Sequence, residues 1–131
     1  MIYVDTSAFL AVVHSSDDHH EQAFQTWQKL IEENERLMCN NYVLVESIAL
    51  IQHRVGIEAL AILHNEIIPY MEVEWLDESL HNAVVNIALN TKRRKLSLVD
   101  LSSFDTMRRY KINAAFTFDN HFREQGFDVI P

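Results

Sequence analysis

Short β-prone runs that each give way to a longer amphipathic segment constrain this chain more than any other feature. Ile2-Tyr3-Val4 stops at Asp5-Thr6-Ser7, and Ala8 to Val13 then suits a helix. The alternation recurs along the chain. Asp18 to Glu33 carries Ala23, Trp27, Leu30 and Ile31 at helical spacing, and Leu37-Met38-Cys39 reads as a strand before a helix from Tyr42 to Arg54. A helix over Glu58 to Ile67 is expected to stop before Pro69, because the residue preceding proline is pushed out of helical geometry. Met71 to Leu76 reads as a strand, Asp77 as the cap of a helix reaching Thr91, and Ser97 to Tyr110 as a further helix. Ala114 to Phe118, Asp119 to Glu124 and Asp128 to Ile130 complete the pattern as strand, short helix and strand. Strands alternating with helices predict an α/β fold with a mostly parallel central sheet covered by helices on both faces. No repeat, linker or low-complexity tract divides the 131 residues, so one domain over residues 1–131 is expected.

Composition removes several classes of function. One cysteine, Cys39, excludes an internal disulfide framework and any cysteine-held zinc or iron–sulfur site. The lack of a long apolar run or basic leader predicts a cytoplasmic protein without a membrane partner. The net charge of -8 argues against binding nucleic acid through bulk positive charge, but its distribution is uneven. Met1 to Thr91 carries three basic residues against fourteen acidic ones; Lys92 to Pro131 carries eight against five. Lys92, Arg93, Arg94 and Lys95 form one run, and Arg108, Arg109 and Lys111 form another. These are either solvated helix ends favoured by the helix dipole or a local phosphate-binding surface on an acidic protein.

Four acids stand out by position. Asp5 and Asp119 each follow a predicted parallel strand, the place where open α/β sheets bind ligands, although aspartate there also caps the next helix. Glu46 is the only acid between Leu37 and Ile57 and lies within a strongly apolar helix, flanked by Ala49, Leu50 and His53, where it either joins a site or points at water. Asp100 fits the third position of a capping box opened by Ser97, yet it shares a helix face with Phe104 and Met107, whereas Asp105 falls on the basic face with Arg108 and Arg109. The seven histidines form no metal-binding pair; His19-His20 reads as a solvated helix start, and none is assigned to metal or proton transfer.

Tyr-Val-Asp-Thr-Ser at Asp5, Glu46 in its apolar helix, Ser-Leu-Val-Asp at Asp100 and Thr-Phe-Asp-Asn-His-Phe around Asp119 resemble, in order and spacing, the four motifs of PIN-domain nucleases. The resemblance covers essentially the whole chain and is greatest to small VapC-type toxin ribonucleases of toxin–antitoxin systems. It implies a three-layer PIN-like fold and a metal-dependent endoribonuclease that cleaves RNA phosphodiester bonds. Asp5 and Asp100 would be the principal metal ligands, Glu46 and Asp119 would complete the site or orient water, and Thr6, Ser7 and Thr117 would support them. Carboxylates held together raise one another's pKa and need a cation, and an all-oxygen set suits Mg²⁺ or Mn²⁺. The resemblance further implies a homodimer and a cognate antitoxin. Three alternatives share parts of this pattern: a PIN nuclease of RNA maturation with the same residues, a non-catalytic PIN-like interaction module, and a haloacid-dehalogenase-type phosphatase. The last is weakened by Ser7, which stands where its second aspartate should be.

Overall fold

The computed structural model describes residues 1–131. Five strands, β1 (Ile2–Val4), β2 (Leu37–Asn40), β3 (Met71–Glu74), β4 (Ala114–Phe116) and β5 (Asp128–Ile130), form one sheet in the order β3-β2-β1-β4-β5, and every pair is parallel. Seven α-helices flank it: α1 (Thr6–Val13), α2 (His20–Glu32), α3 (Asn41–Arg54), α4 (Ile57–Ile62), α5 (Glu78–Thr91), α6 (Leu98–Arg109) and α7 (His121–Glu124). This is the expected three-layer α/β arrangement. The chain leaves β1 toward β2 and β3 on one side and reaches β4 and β5 on the other. The sheet therefore reverses its winding between β1 and β4, and the carboxyl ends of those two strands are where open α/β sheets bind ligands.

The core follows from burial on both faces of the sheet. All four residues of β2 are buried, and Tyr3, Val4, Ala115 and Phe116 of the two central strands are almost wholly removed from solvent. Phe104 and Met107 of α6 pack into this core, with Phe104 edge-on to Phe122 of α7. Three polar contacts tie α6 to the sheet. The Tyr3 hydroxyl donates to Ser103 Oγ (3.0 Å), and the buried Asn40 amide donates to Ser102 Oγ (3.0 Å) and Thr106 Oγ1 (3.2 Å). Asn40 also caps α3 by accepting from the Val43 N–H.

Several boundaries shift by a residue or two, with α2 starting at His20, β3 ending at Glu74 and α7 starting at His121, and two differences change the local geometry. The helix expected over Glu58 to Ile67 closes as α4 at Ile62, widens into a π-helical turn over Leu63–Ile67, and ends in a 3₁₀ turn, Ile68–Tyr70, that contains Pro69. Proline is tolerated there because an N–H at the start of a turn has no partner to lose. The strand expected to reach Phe118 ends at Phe116, since the Phe118 and Asp119 amides turn away to the side-chain oxygens of Ser7 and Thr117.

Candidate active site

Asp5 follows β1 and caps α1, with only 5% of its surface exposed. Its Oδ2 accepts from Ser7 Oγ (2.7 Å), Thr117 Oγ1 (3.0 Å) and the Ser7 amide (3.3 Å). Ser7 Oγ in turn accepts from the Phe118 amide (2.9 Å), and Thr117 Oγ1 accepts from the Asp119 amide (3.0 Å). Each hydroxyl thus spends its single proton on Asp5 while the backbone after β4 fixes its lone pair. The carboxylate is held rigidly, and the loop carrying Asp119 is fastened to it. Of the residues expected to support the acids, Ser7 and Thr117 both hydrogen-bond the Asp5 carboxylate.

Thr6 faces the other way. Its hydroxyl lies 3.5 Å from the Val43 carbonyl and accepts from Ser47 Oγ (3.2 Å), so it joins α1 to α3 and does not touch the acids. The reason is helical phase: Thr6 and Ser7 are consecutive and so point about 100° apart around α1.

Asp100 at the start of α6 completes a capping box, donating its amide to Ser97 Oγ (3.0 Å) and accepting from the Ser97 amide at Oδ2 (3.2 Å). The same Oδ2 lies 3.6 Å from His121 Nδ1, and that nitrogen is 3.3 Å from Asp119 Oδ1. Ligand atoms of Asp100, Asp119 and His121 all fall within 4.8 Å of one another. Capping and site formation, alternatives in the sequence, are here properties of the same residues. His121 is a residue that sequence reasoning missed. The one signal available was its position two residues after Asp119, where the turn returns its ring toward that carboxylate; the His121 amide donates to Asp119 Oδ1 (2.9 Å).

Electrostatics couple the acids. Burial pushes the Asp5 carboxyl above its ordinary range, the Ser7 and Thr117 hydrogen bonds partly offset this, and the charge of Asp100 adds to it. Burial likewise raises Asp100, opposed by the bond from the Ser97 backbone, reinforced by the charge of Asp119 and eased by His121. Asp100, whose carboxyl burial pushes up, and Asp119 face a buried ring nitrogen without a hydrogen bond, a donor set that fits a bound cation.

Glu46 is not drawn into this cluster. It makes no hydrogen bond or ion pair and lines a neighbouring cleft of about 430 Å³ with Tyr42, Val45, His81, Leu98 and Val99. Val99 precedes Asp100, so the cleft adjoins the acids.

The two basic runs have different surroundings. Lys92 to Lys95 form an exposed loop leading into the Ser97 cap beside Asp100, with Lys92 in the left-handed region (φ 57°) and Arg93 paired with Glu124 (3.7 Å). Arg108, Arg109 and Lys111 lie eight to eleven residues beyond Asp100, at least about 12 Å along α6 and its extension at 1.5 Å per residue. Arg109 is bound to Glu74 at the end of β3 and to Asp105 Oδ2 (2.8 Å), and Arg108 donates to Gln125 Oε1 (2.9 Å) while resting over the Phe127 ring. These two arginines have internal partners because β3 and the loop before β5 bring acceptors to the end of α6. The reading of His19-His20 as a solvated helix start fits their place: His19 is the exposed N-cap of α2 and His20 its first residue. His19 stacks on Phe118 (4.4 Å between ring centroids) and His20 Nδ1 lies 2.8 Å from the Ala11 carbonyl.

The sequence matches the PIN domain family over residues 2–128. It is 30% identical over 131 residues to the 23S rRNA-specific endonuclease VapC20 of Mycobacterium tuberculosis strains CDC 1551 / Oshkosh and ATCC 25618 / H37Rv, covering 97% of this chain and 95% of each relative. The crystal structure of M. tuberculosis VapC20, described as a sarcin-ricin loop cleaving toxin, superposes with a TM-score of 0.84 at 30% identity over the full length of both chains. FitAcB from Neisseria gonorrhoeae superposes with a TM-score of 0.68 at 16% identity, covering 100% of this chain and 97% of that one, which bears on the fold alone. The chain therefore belongs to the PIN-domain family, and within it is similar to the VapC-type toxin ribonucleases.

Proposed function

We propose that this protein, acting as one domain over residues 1–131, is a metal-dependent endoribonuclease and the toxin of a toxin–antitoxin pair. The observation that carries the reading is the cluster of Asp100, Asp119 and His121 at the start of α6 and the turn after β4, near enough to the buried Asp5 for the charge of Asp100 to act on it. Likeness to a 23S rRNA-specific endonuclease supports RNA as the substrate class.

Asp5, Asp100 and Asp119 are the residues that would hold the cation, and Glu46 faces the adjoining cleft on the substrate side. When bound, Mg²⁺ or Mn²⁺ supplies charge neutralisation at the scissile phosphate and lowers the pKa of an attacking water. Ser7 and Thr117 keep Asp5 oriented with its lone pairs committed on one oxygen. The Ser97 cap fixes the backbone from which Asp100 projects, and the exposed Lys92 to Lys95 loop presents cations to the RNA backbone beside the acids.

An apolar groove of about 360 Å³ between α1, α2 and the Pro69 turn, lined by Val12, Phe24, Trp27, Ile31, Ile62 and Tyr70, is the surface that supports an antitoxin contact. Exposed Val45, Trp75 and Leu89 supply apolar area for a homodimer, which sedimentation of the purified protein would test.

The decisive experiment incubates purified protein with RNA containing a 23S rRNA fragment, in Mn²⁺, Mg²⁺ or excess EDTA, and maps the ends formed. Discrete cuts are expected with metal, and none with EDTA or with Asp5→Asn or Asp100→Asn, both of which should remain folded by circular dichroism. Full cleavage in EDTA would overturn the proposal.

A further inference from the structure

His121 Nδ1 is buried, makes no hydrogen bond, and faces two carboxylate oxygens at 3.3 and 3.6 Å. Both of those oxygens are acceptors, so the three atoms converge with no donor among them apart from a proton on the ring itself. The ring is held in place: the His121 amide is tied to Asp119, His121 opens α7, and the following Phe122 is fully buried against Phe104. Ligands about 2.1 Å from a Mg²⁺-sized ion and at right angles to each other lie about 3 Å apart, close to the separations found here.

We infer that His121 Nδ1 is a direct ligand of the catalytic cation, making the centre a mixed nitrogen and oxygen site that favours Mn²⁺ over Mg²⁺. This rests on the reading of the cluster as a metal-dependent nuclease centre. The chemical reason is donor type. Carboxylate oxygens accept either ion, whereas imidazole nitrogen discriminates toward first-row transition ions and against Mg²⁺, which prefers oxygen and retains its waters. The neighbouring acids set the position of the ion, and the imidazole sets which ion is preferred.

The test uses Mn²⁺ as the probe and does not depend on turnover. Pulsed electron paramagnetic resonance of the Mn²⁺-loaded full chain should show a ¹⁴N coupling of a directly bound imidazole, and His121→Ala should abolish it. Titration calorimetry with Mn²⁺ and Mg²⁺ should show Mn²⁺ affinity falling about tenfold in His121→Ala, with a smaller loss for Mg²⁺. His121→Asp, which restores an oxygen ligand, should recover Mg²⁺ binding and leave the preference for Mn²⁺ reduced. Thermal melts of both variants establish that they are folded. Mn²⁺ binding with no nitrogen coupling, or an unchanged Mn²⁺/Mg²⁺ ratio in His121→Ala, would overturn this inference while leaving the nuclease reading intact. If the wild type binds neither ion but Asp100→Asn still loses RNA cleavage, the assignment of His121 fails together with the metal-dependent reading.

Discussion

Replacing Arg109 by alanine separates the structural role of this cation from the nucleic-acid role that its sequence context suggests. Its guanidinium grips both carboxylate oxygens of Glu74, with Nη2 to Oε2 at 3.1 Å, and its Nε binds Asp105 Oδ2 at 2.8 Å. Only 7% of the Glu74 side chain is exposed, against 32% for Arg109. Glu74 ends β3, an edge strand, so the pair fastens the end of α6 to the side of the sheet farthest from β5. Removing one partner of a buried ion pair costs about 3–5 kcal/mol, because the other charge is left desolvated. The partial exposure of Arg109 lets water reach the pair, and the figure is discounted to about 2–3 kcal/mol. For a chain of this size that lowers the melting temperature by roughly 10 °C. Glu74→Gln in the Arg109→Ala background removes the stranded charge and should recover more than half of the loss. Thermal and urea unfolding of the wild type and both variants, with RNA affinity measured at several salt concentrations, decide the matter. Unchanged stability in Arg109→Ala together with a shallower salt dependence of RNA binding would refute the reasoning and return Arg109 to the RNA surface.

Asp5→Asn should raise the stability of the metal-free protein at neutral pH by about 1–2 kcal/mol while abolishing cleavage. Burial raises the folded-state pKa of Asp5, so the folded protein binds more protons than the unfolded chain between the ordinary and the raised value. Stability is therefore lost as pH rises through that window, and the advantage of the asparagine should fade below the ordinary carboxylate range; urea unfolding in EDTA from pH 3 to 8 reads this directly. Asn40→Ala removes two donors to α6 and the cap of α3 from a fully buried site, and should cost about 2–4 kcal/mol, measured by urea unfolding. Neutralising Arg94 and Lys95 together should weaken RNA binding and reduce the slope of log affinity against log salt by about 1.4, with no change in melting temperature. An unchanged slope would remove that loop from the substrate path.

Much of the molecule was legible in its sequence because it is local. Strand-to-helix alternation, the Asp77 and Ser97 caps and the placement of Asp5 after a strand depend on neighbours within a few residues, and all appear in the structure. The four acids were legible as candidates, but not which of them lie together: Asp100 and Asp119 cluster with His121, whereas Glu46 lines a neighbouring cleft. Less legible were segments whose backbone is claimed from afar. The strand that ends at Phe116 is cut short by hydroxyls from Ser7 and Thr117, of which Ser7 lies more than a hundred residues away in sequence. The α4 segment becomes a π turn and a 3₁₀ turn over Leu63–Tyr70, with Leu63 and Ile67 buried in the core.

Sequence by itself determined that strands and helices alternate, that acids follow two of the strands, and that positive charge gathers after Thr91. Only the tertiary structure decided which strands are neighbours, and with that which side chains share a charge environment. Pairing of β1 with β4 brings Thr117 to Asp5 and Asp119 toward Asp100; the turn after β4 adds His121; and the place of β3 beside β2 gives Arg109 an internal partner in Glu74. Helix and strand tendencies are set by each residue and its near neighbours. Coupling among carboxylates, hydroxyls and an imidazole depends on distances of 3 to 4 Å across the chain, and these exist only once the sheet has closed its order.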